Sequence, residues 1–77
     1  MTNGQRIIVN YLQSRNITDY LLSGTDYVIA QERAYTINLY GDILDANTRT
    51  KIAEADIERD LRKLGSKLPE KWTDIER

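Results

Sequence analysis

A chain of 77 residues has room for one domain with one thin core, which supplies only about 3–5 kcal/mol unaided. It contains no Cys and no His, which excludes disulfides and thiolate or imidazole metal sites and removes the commonest acid–base group. Eleven Lys and Arg stand against twelve Asp and Glu, without the basic excess usual in a duplex-binding module.

The charge is also evenly spread. Residues 1–56 carry five positive and seven negative groups, and residues 57–77 carry six and five. Neither part is a basic arm or an acidic tail. No apolar run approaches bilayer length, and Met1–Arg6 has no signal-peptide pattern. A single soluble, cytoplasmic domain over residues 1–77 is the expectation.

In chain order, the first element is a helix over residues 4–15. Ile7, Ile8, Tyr11 and Leu12 form one stripe at i, i+1, i+4, i+5. Asn3 is a candidate N-cap, and Asn16 tolerates the left-handed conformation that closes helices. Residues 17–24 fit a short helix or a short strand, which periodicity cannot separate in so short an apolar run. Gly24-Thr25-Asp26 is a turn. Tyr27–Gln31, β-branched and aromatic, is a strand. Glu32-Arg33 has the spacing of a tight hairpin before the next strand.

That next strand is expected to run over residues 35–44. Tyr35, Ile37, Leu39 and Ile43 alternate with polar residues, which places them on one face. Ile52 of a third strand, residues 50–55, joins this inner row. Thr36, Asn38, Tyr40 and Asp42 form the outer row, with Lys51 and Ala53 opposite. Gly41 marks a bulge or bend. Asp45-Ala46-Asn47-Thr48 is the intervening turn, its Asx side chains bonding their own backbone.

After Asp56 comes a second helical pattern, Ile57, Leu61 and Leu64, with acids in the first turn and bases in the last. Gly65 and Pro69 end it. Leu68, Trp72 and Ile75 have the spacing of a last helical turn. The fold expected is therefore a small α+β domain of order α-β-β-β-α. It has a three- or four-stranded antiparallel sheet with both helices on one face.

Few residues here carry chemistry. Asp45 to Asp56 partly mimics a calcium loop, but Arg49 and Thr50 occupy the fifth and sixth positions, the wrong charge and no glycine. Asp42, Asp45, Glu54 and Asp56 fall near one another across the hairpin, yet lack the lysine spacing of acidic nucleases. Ser14, Ser23 and Ser66 have no base to activate them. There is no glycine-rich phosphate loop. The chain is read as non-catalytic, with no cofactor and no metal.

The element order is similar to that of the double-stranded RNA-binding domain. That resemblance implies a basic cluster at the start of the second helix. This chain departs from it with Asp56-Ile57-Glu58-Arg59-Asp60, whose carboxylates repel phosphate. A modest basic strip, Arg59 to Lys71, supports nucleic-acid binding only as an alternative.

Five Tyr, at positions 11, 20, 27, 35 and 40, and a lone Trp72 stand out beside the absence of Phe. Tyr is a favoured anchor at protein interfaces and also suits a half-buried sheet. In style the chain resembles the small inhibitors of phages and mobile elements, anti-CRISPR proteins among them. That resemblance implies a protein-binding module that occupies a host protein surface. The contact residues expected are Tyr40, Asp42, Asp45, Arg49, Glu54 and Trp72. A self-associating subunit is a further alternative. The outer sheet face or an edge strand is expected to be an interface, and strand 27–31, bare of charge between Asp26 and Glu32, invites pairing or a homodimer if it is an edge.

Overall fold

Helix α1 spans Asn3–Ser14 and is capped by Thr2, one residue earlier than expected. The computed structural model describes residues 1–55. Thr2 and Gln5 have the three-residue spacing of a capping box. The Thr2 hydroxyl accepts from the Gln5 amide at 3.2 Å, and the Gln5 carboxamide oxygen accepts from the Thr2 amide at 3.0 Å. The same two side chains reach outward. Thr2 Oγ1 donates to Thr25 O at 2.9 Å, and Gln5 Nε2 donates to Gly24 O and Tyr27 O, both at 3.0 Å. The cap thus satisfies the first helical turn and clamps the turn at residues 24–26 with buried polar groups. At the other end Asn16 takes φ 62°, the left-handed closure expected of it.

Among the described residues five strands follow: β1 Leu21–Ser23, β2 Tyr27–Ala30, β3 Arg33–Ile37, β4 Asp42–Asp45 and β5 Lys51–Glu54. They pair antiparallel in sequence order, β1-β2-β3-β4-β5. The α+β class and antiparallel sheet match the expectation, but the strand count exceeds the expected three or four for two reasons. The undecided segment 17–24 contributes β1, and the long strand 35–44 is two strands. The second helical pattern and the last turn, from Ile57 to Ile75, lie outside the described residues.

The break in the long strand is made by Asn38 and Gly41. Gly41 adopts φ 85°, a region that favours glycine. Its amide donates to Asn38 O at 3.1 Å. The chain reverses, and Ile37 pairs directly with Ile43. Gly41 therefore marks a full turn rather than a bulge. The irregularity in the ladder lies one strand on, where Ile43/Leu44 face Ala53 and Lys51 and Ile52 is the extra residue. That bulge keeps Ile52 packed against the core.

α1 lies on one sheet face. Ile8, Val9 and Leu12 pack with Val28, Ala30, Tyr35 and Ile43. Ile37 and Ile52 of the expected inner row pack against this cluster, whereas Leu39 is 80% exposed because it sits in the turn. Thr36, expected on the outer row, is buried. Each fully buried aliphatic side chain here stabilises by about 1.5–3 kcal/mol relative to exposure.

Strand β2 is interior, bonded to β1 and β3, so the condition under which it would invite strand addition is not met. Among the described residues the edges are β1 and β5. β5 carries Lys51 and Glu54, charges that discourage edge pairing, while β1 carries Leu21, Leu22 and Ser23. None of the described helices is long and apolar enough to cross a membrane.

Candidate functional site

The turn joining β3 and β4, residues 38–41, is built almost entirely by one side chain. Asn38 Oδ1 accepts from the amides of Tyr40 and Asp42, both at 2.9 Å. Asn38 Nδ2 donates to Asp42 Oδ2 at 3.2 Å. The Asn38 amide donates to Asp42 O at 3.0 Å, and the Ala55 amide donates to Gly41 O at 2.9 Å. Asx side chains favour such local bonds. Here they bond the turn's backbone, while its two middle side chains stand exposed among the described residues. Leu39 is 80% and Tyr40 is 88% exposed.

Beside the turn, β5 supplies a charge cluster. Lys51 Nζ lies 2.7 Å from Glu54 Oε1 and 3.5 Å from Asp42 Oδ1. The hydrogen bond that Lys51 donates to Glu54, with the field of Asp42, raises the Lys51 pKa above its ordinary 10.5. Two carboxylates share this one ammonium, so the cluster keeps a negative balance next to the apolar pair.

The expected contact residues do not form one patch. Tyr40, Asp42 and Glu54 come together at this end of the sheet. Asp45 and Arg49 lie at the opposite end, in the turn between β4 and β5. Asp45 is occupied there. Its Oδ1 accepts from the amides of Asn47 at 2.8 Å and Thr48 at 3.3 Å, and its Oδ2 lies 3.6 Å from Arg33 Nε. The Asx-turn reading of residues 45–48 is what the geometry shows. Asp42 and Asp45 are thus separated, and no acidic cluster of metal-binding size occurs among the described residues. Trp72, Asp56 and the Arg59–Lys71 strip lie outside the described residues.

Leu39, expected in the inner row, stands exposed in the turn instead. Its signal lay in its neighbours, since Asn38 and Gly41 flank a pair in the way turn formers do.

A second surface, which none of the described elements covers in full, is the sheet face opposite α1. Leu21 pairs with Ile29, and Ile29 with Ala34. Leu21 is 70%, Tyr27 40% and Ile29 39% exposed. A shallow trough of about 260 Å³ crosses this face, lined by Ser23, Tyr27, Ile29, Ala34, Ala46 and Asn47. Its size lies below the roughly 300–1,000 Å³ of small-molecule sites.

No family model, curated protein or solved structure matches this chain.

Proposed function

We propose that this chain is a small non-catalytic protein-binding module whose anchor is the turn at residues 38–41. The observation that carries the reading is the exposure of Leu39 and Tyr40 on a turn whose backbone is bonded by the Asn38 side chain. Interface hot spots are large side chains held ready at low entropic cost, ringed by polar groups. The Asn38 bonds fix the backbone that carries Leu39 and Tyr40, and Asp42, Lys51 and Glu54 supply a polar rim. Trough size and the absence of His and Cys favour binding over catalysis.

The concrete form we propose is an inhibitor that occupies a host protein surface, of the kind encoded by phages and mobile elements, anti-CRISPR proteins included. Support for that form is one of size and composition. The test is affinity capture from a host lysate with the wild type and with a Leu39→Ser/Tyr40→Ser variant, which removes two solvent-facing side chains and no core contact. A protein retained by the wild type and lost by the variant, at equal melting temperatures, supports the reading. Equal retention by both removes the turn as the anchor.

A further inference from the structure

We propose that the side of α1 turned away from the sheet is a docking face for a segment of this same chain, residues 57–75, so that α1 lies between the sheet and that segment. The inference is independent of the reading of the Leu39–Tyr40 turn.

Helical spacing separates two sides of α1. Ile8, Val9 and Leu12 join the core with the sheet, and Gln5 on the same side reaches Gly24 and Tyr27. Asn3, Ile7 and Asn10, at i, i+4, i+7, fall on the opposite side. A helix lying on a sheet ordinarily leaves that side in water. Here it is shut. Ile7 is 1%, Asn10 7% and Asn3 9% exposed. Ile7 is nearly as buried as Ile8, yet it is not part of the cluster that α1 forms with the sheet.

The strands do not supply this cover. α1 packs on β2 and β3, and all five described strands belong to that one sheet. The cover is also intramolecular, because one chain by itself buries these residues. What remains is the sequence after Ala55. It carries an apolar row that none of the described contacts uses: Ile57, Leu61, Leu64, Leu68, Trp72 and Ile75, at the three- and four-residue steps of one helix face. At about 1.5 Å per helical residue, residues 57–75 are long enough to run the whole roughly 18 Å of the 12-residue α1.

The sheet face opposite α1 is the other seat such a row could take. Burial decides between them. That face leaves Leu21 70% and Ile29 39% exposed, whereas the outer side of α1 is closed. With that side of α1 taken by the chain itself, the helix offers outside partners little surface, and the contacts of this domain fall to the sheet and its turns.

The test uses the full chain and the absence of native Cys. One nitroxide label is placed at Ser14→Cys, exposed on the outer side of the last turn of α1, or at the exposed neighbour Gln13→Cys if the first alters the amide spectrum beyond its own surroundings. A second is placed at Leu21→Cys, exposed on the opposite sheet face. Paramagnetic broadening of the amide signals is then read residue by residue. The α1 label should broaden residues 57–75 more strongly than the Leu21 label does. Equal broadening by the two, the reverse order, or a segment that neither label broadens overturns the proposal. A mixture of isotope-labelled chain with spin-labelled, isotope-free chain separates the occupants. No broadening of residues 57–75 in the mixture is expected. Broadening there as strong as within one chain would give the face to a second copy and overturn the proposal as well.

Discussion

The hairpin between β2 and β3 reverses on two residues, Gln31 and Glu32, with φ 51° and 63°. Two positive φ values in a two-residue loop are the signature of a type I′ turn, whose twist matches that of the flanking strands. Asn-Gly is the preferred pair there. A side chain with a Cβ in the left-handed region costs about 1–2 kcal/mol relative to ordinary backbone, and neither Gln nor Glu has the short polar group that relieves it. Gln31→Asn/Glu32→Gly should therefore stabilise the fold. Glycine returns about 0.5–1 kcal/mol of that gain to the unfolded chain as entropy. The net expectation is about 1–2 kcal/mol in favour of the folded state. At about 4–8 °C per kcal/mol for a domain of this size, the melting temperature should rise by roughly 5–15 °C. Thermal and urea unfolding followed by circular dichroism measure it. Glu32→Gln makes the same change in charge without relieving the backbone and should move the midpoint little. A double variant no more stable than the wild type, or a Glu32→Gln variant that reproduces the gain, would refute the account of a strained turn.

Ile43→Ala should cost about 2–4 kcal/mol, because Ile43 is fully buried between α1 and the sheet; a midpoint within about 0.5 kcal/mol of the wild type would contradict the core assignment. Asn38→Ala should cost about 1–2 kcal/mol and speed hydrogen exchange at the Tyr40 and Asp42 amides, which lose their acceptor; unchanged exchange there would show that the backbone holds the turn unaided. Val28→Lys should unfold the domain rather than prevent strand addition, since Val28 is buried in an interior strand. A folded variant at neutral pH would be incompatible with the sheet order. The raised Lys51 pKa contributes stability that is fully present below the ordinary value of 10.5 and is lost as pH rises through the folded value. The alkaline limb of a pH–stability curve should therefore flatten in Lys51→Met, and an identical limb would remove the ion cluster from the account.

The sequence by itself determined the features whose causes are local. The stripe of Ile8 and Leu12 sets which side of α1 meets the sheet, and helix closure at Asn16 follows from one residue's tolerance of positive φ. The turns at residues 24–26 and 45–48 follow from Gly and Asx chemistry, and the inward placement of Tyr35, Ile37, Ile43 and Ile52 from alternation. Only the tertiary structure decided whether residues 35–44 run straight or reverse. Ile37 and Ile43 are an even number of residues apart. They share a face both in a continuous strand and across a turn, so the period of two is blind to the difference. The reversal depends on the Asn38 carboxamide meeting the amides of Tyr40 and Asp42, and it turns Leu39 from a core residue into an exposed one. Strand order was equally hidden. Tyr27–Ala30 reads the same with one neighbour or with two, and β1 is too short to show any period. Whether a strand is an edge depends on what pairs beside it. For β2 that is Leu21–Ser23, placed there by the turn at residues 24–26 that Thr2 and Gln5 of the helix hold from across the fold.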